Sequence, residues 1–197
     1  MANTNSPFGL KQLGLNGAPT NGQLSWRKGG ILYTDNTPMY TNDLFMRNAG
    51  GYMTEWTNGT AVSQAGGIFF GCEYYSNSQQ TKVFNRYWPG TDAAADPTIF
   101  FIPFTLTPSP LFVIQSGAAG IAAADVGQNA DIVVGTGSAV TGYSGAYLST
   151  ITTTATVPFT IVDLWSNWMG GQVGPGTQAG AYNWVVVAAN NMQITGI

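Results

Sequence analysis

Asp92 and Asp96 are the nearest thing in this sequence to a catalytic pair. They stand in Gly90-Thr91-Asp92-Ala93-Ala94-Ala95-Asp96-Pro97, and glycoside hydrolysis needs two carboxyls facing each other across a cleft. A loop bounded by Gly and Pro favours solvated turn residues instead. The run Asp125-Val126-Gly127-Gln128-Asn129-Ala130-Asp131 gathers oxygen-bearing side chains, but a calcium loop wants Gly at its sixth position and Glu at its twelfth. Here those positions are Ala130 and Thr136, so Asx-turn and capping chemistry accounts for the run. Cys72 is the one cysteine and there is no histidine at all. That excludes an internal disulfide, a cysteine zinc cluster and every Ser-His or Cys-His nucleophile pair. With no imidazole to activate it, Cys72 is expected to be a buried structural thiol. Gly135-Thr136-Gly137-Ser138-Ala139-Val140 lacks the third glycine of a dinucleotide loop, and no Gly-Lys-Ser/Thr phosphate loop occurs. Neither a cofactor nor a metal is called for, and the expectation is a protein that is not an enzyme.

The elements that would position any site are read from composition and pattern. Of 197 residues, 44% are hydrophobic and only 8% charged, against about 25% charged in ordinary globular chains. The length suits one large domain or two small ones. Polarity is carried instead by 23 Thr and 15 Asn, beside 26 Gly and 10 Pro. Six basic residues and a net charge of −3 lack the cationic footprint of a nucleic-acid binder. No apolar run approaches the ~18 residues of a membrane helix. The opening Met1 to Gly9 has no signal-peptide pattern, so the expected site of synthesis is a cytoplasm. Asn58-Gly59-Thr60 is a glycosylation sequon that this route would leave unused.

Dense glycine punctuation divides short apolar and β-branched runs, as turns divide strands. Expected strands are Ile31 to Thr34, Leu44 to Arg47, Tyr52 to Trp56, Gly67 to Tyr75, Thr81 to Trp88, Thr98 to Phe104 and Leu111 to Gln115. Asp131 to Val134, Leu148 to Asp163 with a bend at Val157-Pro158, and Tyr182 to Met192 complete the set. One or two helical turns are expected over Ile121 to Val126, ended by Gly127. The fold class is therefore all-β: a single sandwich, jelly roll or barrel over 31–197, with residues 1–30 as an extended N-terminal arm.

Charge is segregated along the chain. Lys11, Arg27, Lys28, Arg47, Lys82 and Arg86 all fall within the first 86 residues, which carry a net +2, while residues 87–197 have five Asp, no Lys or Arg and a net −5. Chance in a low-charge chain explains this; so does docking of the basic part on an acidic partner. The 25 aromatic residues are mostly core material in a β protein. Trp165, Trp168, Tyr182 and Trp184 flank a Gly-rich loop over 170–180, and any that are exposed would mark a protein interface or a sugar-stacking platform.

Several stretches together resemble the capsid decoration (cement, or minor head) proteins of tailed bacteriophages. Met1-Ala2-Asn3-Thr4-Asn5-Ser6-Pro7-Phe8-Gly9 is similar to the extended start of that group. Gly67-Ile68-Phe69-Phe70-Gly71-Cys72-Glu73-Tyr74 followed by Asn85-Arg86-Tyr87-Trp88-Pro89-Gly90 resembles its central hairpin. Phe112-Val113-Ile114-Gln115 with Asp125 to Asp131, Thr152 to Ile161, and Trp184 to Gln193 resemble later segments. A turn that the group writes Gly-Asp-Pro-Val stands here as Asn42-Asp43-Leu44-Phe45. The resemblance implies a jelly-roll-like domain on the outer surface of a virion, bridging neighbouring major capsid proteins and touching copies of itself, as a homotrimer or else a dimer. Such a role needs complementary surface and no reactive group, with neither nucleic acid nor membrane as partner. Lys11, Arg27, Lys28 and Arg47 are the expected capsid-contact residues. The alternative is a carbohydrate-binding module or phage adhesin working through exposed Trp and Tyr; a hydrolase using Asp92 and Asp96 ranks far behind.

Overall fold

Fourteen short strands, one turn of α-helix and one 3-10 turn make up the computed structural model, which describes residues 2–15, 26–57, 65–104 and 110–190. The first sheet contains β1 (Lys11–Leu15), β10 (Pro110–Gln115), β11 (Asn129–Val133), β12 (Tyr147–Thr152), β13 (Phe159–Leu164) and β14 (Trp184–Ala189), in the order β1-β10-β14-β13-β11-β12. The second contains β2 (Arg27–Gly30), β4 (Leu44–Arg47), β5 (Met53–Glu55), β6 (Ala65–Ser76) and β9 (Thr98–Pro103), in the order β2-β9-β6-β4-β5. β7 (Thr81–Asn85) pairs with β6, and β3 (Met39–Tyr40) pairs with β8 (Tyr87–Trp88) in a two-stranded sheet. All of these pairings are antiparallel. The architecture is an all-β sandwich, as the turn-punctuated pattern predicts.

Side-chain alternation explains the layers. Phe112 and Ile114 of β10, Val185 and Val187 of β14, Phe159 and Ile161 of β13, and Ile132 and Leu148 face Leu44, Ile68 and Ile102 of the second sheet and form the main core. The intervening residues of the second sheet, Phe45, Phe69, Phe101 and Ile99, point the other way. They bury against Met39 and Trp88 of the small sheet, with Ile31 and Met53. Both faces of β10 are covered, because Leu111 also joins Val186 and Ala188 under Leu13, Val162 and Trp165. Truncating a fully buried ring such as Phe112 or Phe159 to Ala costs about 3–5 kcal/mol in such a setting.

Where it is described, the region expected as an extended N-terminal arm contributes strands to both sheets. β1 is an edge strand of the first sheet and β2 an edge strand of the second. Ahead of β1, Gln115 holds the chain at two points: its Nε2 donates to Thr4 O at 2.8 Å, and its Oε1 accepts from Ser6 N at 2.9 Å. Asn3 Nδ2 donates to Gln178 O at 2.8 Å. Residues 16–25 of the expected arm lie outside the described residues.

Other departures are local. Ile31 to Thr34 forms no strand; Asp35 N bonds Leu32 O at 2.9 Å in a turn, and the ladder lies one step earlier in β2. The long expected strand from Leu148 to Asp163 is two strands separated at 153–158. Trp165–Trp168 forms a short helix, α1, that the sequence pattern does not announce. The expected turn near Ile121 is the 3-10 turn Ala123–Asp125, with Gly127 following at φ +88°.

Candidate functional site: an uncovered aromatic and cationic sheet face

The main-core face of the second sheet is longer than the sheet that covers it. Ile68, Ile102 and Phe104 lie under the first sheet. Continuing along the same face come Phe70, Phe100 and Phe84, of which Phe70 and Phe84 are exposed and Phe100 half-buried. The registers place them together: Lys28 opposite Phe100, Phe100 opposite Gly71 at a bulge that sets Phe70 outward, and Phe84 opposite Glu73. Phe84 is 69% exposed, Trp26 57%, Tyr75 49% and Phe70 37%. Trp26 packs on Phe70 with ring centroids 4.5 Å apart. Lys28 Nζ sits 5.2 Å from the Phe100 ring, and Lys82 Nζ 5.4 Å from the Phe84 ring. Contiguous exposed aromatics with interleaved cations are uncommon on a surface that meets only water.

This face runs into a groove of about 470 Å³ that residues of both sheets line. Phe8, Phe70, Tyr143 and Trp184 wall it, with Lys11 and Arg86 at the rim and Thr41 and Asn42 at its base. Phe8 reaches it because the anchored N-terminal segment presses its ring edge-on to Trp184, at 4.8 Å. Asn42 takes a left-handed conformation at φ +77°, which asparagine tolerates, and its Nδ2 donates to Phe8 O at 3.0 Å. Thr41 Oγ1 donates to Arg86 O at 2.6 Å and lies 3.1 Å from Phe70 O. The Arg86 guanidinium lies over the Tyr143 ring at 5.7 Å. A second groove of about 490 Å³ adjoins it through Phe8 and Trp184 and is closed by Gly176 and the N-terminal segment. Gly176 has φ +75°, and a Cβ there would stand inside the Trp184 ring, so only glycine fits.

The four expected contact residues separate. Lys28 lies on the uncovered face and Lys11 on the groove rim. Arg27 is exposed but alternates to the opposite face, in register with Phe101. Arg47 is half-buried on that opposite side, with its guanidinium 5.9 Å from the Phe101 ring and Nη1 donating to Gly51 O at 3.3 Å; its Nε is buried without a partner. Arg86, Phe70, Phe84, Trp26 and Tyr143 were not singled out as contacts by sequence. The alternation Lys82-Val83-Phe84, with Val83 packed inward, was the available signal for an outward Phe84.

The carboxylates are structural. Asp92, at φ +72°, accepts from Ser76 Oγ at 2.5 Å and from Ser78 N at 2.8 Å, and these bonds hold its carboxyl below the usual range. Asp96 accepts instead from Tyr33 N and from the Tyr52 hydroxyl, both at 3.0 Å. The two close different loops, and neither lines the grooves above. Asp125 Oδ2 accepts from Ala122 N at 2.8 Å, a capping role. The displaced carboxyls are Asp43 and Glu55. Burial pushes Asp43 up to about 6 against hydrogen bonds from Ser144 and from Tyr40 N. Burial first, then the charges of Asp43 and Asp35, push Glu55 up to about 7. Cys72 is buried, its thiol pushed up to about 12 by desolvation and placed 3.3 Å from Tyr87 O, as expected of a structural thiol. Among the described residues no group of three or more His, Cys, Asp or Glu could hold a metal ion, and no helix is long and apolar enough to cross a membrane.

Comparisons with family models, with curated proteins and with solved structures return no match.

Proposed function

We propose that this chain is a non-enzymatic decoration protein of a tailed-bacteriophage capsid, sitting on the outer surface of the virion and bridging neighbouring major capsid proteins. The observation that carries the reading is the uncovered half of the second sheet, where Trp26, Phe70, Phe84 and Phe100 stand with Lys28 on a face built like a core. Such a face gains stability when another protein covers it. Specific contacts of this kind bury on the order of 800 Å² per partner. Several copies engaging a symmetric shell at once multiply a modest single contact, and a homotrimer, or else a dimer, provides that multiplicity. The resemblance of the central hairpin and the N-terminal segment to capsid decoration proteins agrees with this reading.

Exposed Trp26 and Trp168 favour the second reading, a carbohydrate-binding module or adhesin. Co-sedimentation with undecorated capsids of the cognate phage, followed by heating, separates the two. Saturable binding that raises the capsid disruption temperature is the expected result. Absence of binding, with quenching of Trp emission by glycans, would replace the first reading by the second.

A further inference from the structure

We propose that the groove lined by both sheets is a receptor for an acidic, extended peptide segment of the partner, one that sets a carboxylate beside an aromatic or aliphatic side chain. The inference rests on the reading that the partner is a protein. It starts from a charge imbalance. All nine side-chain carboxylates of the chain lie among the described residues, since 16–25, 58–64, 105–109 and 191–197 contain no Asp or Glu. The ion pair found among the described residues is Lys82 with Glu73, at 3.3 Å. Lys11 and Arg86 therefore stand at the groove rim with no side-chain carboxylate as partner. The groove residues themselves include no acid.

The chemistry of the lining narrows the ligand. A neutral sugar is read by polar side chains that can address its hydroxyls, but Thr41 Oγ1 is engaged with backbone carbonyls and Asn42 Nδ2 with Phe8 O. The polar groups left to a ligand are chiefly the two cations. Arg86 is steadied over the Tyr143 ring, and a guanidinium held by its face still offers N–H groups along its edge to a carboxylate. The four ring walls then suit the apolar neighbour of that carboxylate. A volume of about 470 Å³ lies in the range of small-ligand sites.

The shape of the site points to an extended segment. Phe70 and Arg86 line the groove and also a shallow dip of about 250 Å³ that includes Phe84 and Phe100. Lys28 lies over Phe100. A chain laid from Trp184 past Arg86 to Phe100 meets rings and cations in turn, and because successive side chains of an extended segment point to opposite faces, acidic and apolar residues spaced two apart would meet them.

The test uses the full-length protein and a fluorescein-labelled peptide Glu-Ser-Phe-Ser-Glu, whose acids and ring share one face when extended, with Gln-Ser-Phe-Ser-Gln as its uncharged counterpart, read by fluorescence anisotropy. The acidic peptide is expected to bind saturably, and the Gln peptide about tenfold more weakly, because screening limits each exposed ion contact to a few-fold. The double substitution Lys11→Gln with Arg86→Gln should weaken the acidic peptide by a similar factor. Arg27→Gln, on the opposite face, should change nothing. Because both rim side chains are exposed, the variants should unfold at the wild-type temperature, and Arg86→Lys serves as the milder check. Equal binding of the two peptides, no binding of either, full affinity in the double variant, or preference for alginate would each overturn the proposal. Co-sedimentation is scored separately. Loss of capsid binding by wild type with peptide binding intact would refute the capsid reading alone. Capsid binding without peptide binding would refute the groove alone.

Discussion

Replacing Gln115 with Leu should free the N-terminal segment while leaving the sandwich intact. Gln115 is 1% exposed and sits in β10 opposite Trp184. Its amide makes three contacts to the chain: Nε2 to Thr4 O at 2.8 Å, Nε2 to Tyr182 O at 3.2 Å, and Oε1 from Ser6 N at 2.9 Å. Leucine fills similar volume, so the loss is mainly of hydrogen bonds, each worth about 0.5–1.5 kcal/mol net. The sum is about 2–3 kcal/mol, reduced where water reaches the exposed Thr4 and Ser6. Most of it should fall on local opening of residues 2–8, since Asn3, Phe8 and Gly9 hold the segment by separate contacts. Amide hydrogen exchange is the assay. About 2 kcal/mol corresponds to roughly 30-fold faster exchange at Ser6, while amides of β10 and β14 should hardly change. Phe8 would also leave the groove more often, so binding of the acidic peptide should weaken in parallel. Unchanged exchange at Ser6 would refute the idea that Gln115 is the anchor. A uniform acceleration across the first sheet would show that the segment and the sandwich unfold as one unit.

Three further expectations concern separate features. Glu55 binds its proton more tightly in the folded chain, so its contribution is full below about pH 4.5 and stability falls as pH rises toward 7. The rise from 4.5 to about 7 corresponds at most to roughly 3 kcal/mol, and solvent access to the half-buried carboxyl trims this to about 1–2 kcal/mol. Urea unfolding of Glu55→Gln should therefore show a flatter pH profile and greater stability near pH 8, and parallel profiles for variant and wild type would contradict the assigned burial. Gly176→Ala should cost about 2–3 kcal/mol through a left-handed backbone and a clash with Trp184, visible as a lower unfolding temperature and altered Trp emission; an unshifted temperature would count against that packing. Phe84→Ser should leave stability within about 0.5 kcal/mol yet reduce capsid binding, and a large stability loss would mean that Phe84 is core.

Much of the fold was legible because β-branched and aromatic runs bounded by Gly, Pro and Asn leave few choices. Thr98 to Phe104 and Leu111 to Gln115 appear as β9 and β10 nearly to the residue. β2 was not legible: Arg27-Lys28-Gly29-Gly30 has no apolar alternation, and it is a strand because β9 offers an edge to pair with. The site was less legible for a related reason. Alternation tells which residues share a face but not how far the covering sheet extends. Ile68 and Ile102 read like Phe70 and Phe100 in sequence, yet the first two are core and the second two border open surface. The cations show the same limit. Arg27 and Lys28 are neighbours in the chain and part to opposite faces, while Arg86, distant in sequence from Lys11, shares its groove.

The placement of β14 has a consequence for how the molecule is made. β14 lies at the heart of the first sheet, between β10 and β13, while β1 joins that sheet only through β10. Chain leaving a ribosome at 5–20 residues per second takes roughly 10–35 s to pass from β1 to β14. Throughout that time the inner strand is missing, and for roughly the last 4–15 s of it β10 (Pro110–Gln115) has been made but has an open edge. Completion of the sheet is then a late, long-range event, and such topologies fold slowly for their size. The cell that makes the protein would have to keep the nascent chain from pairing with its neighbours until residue 189 emerges. Wholesale assembly on a partner while still being translated is disfavoured, because Phe8 and Trp184, whose rings pack edge-on beside the groove, are among the last residues to meet.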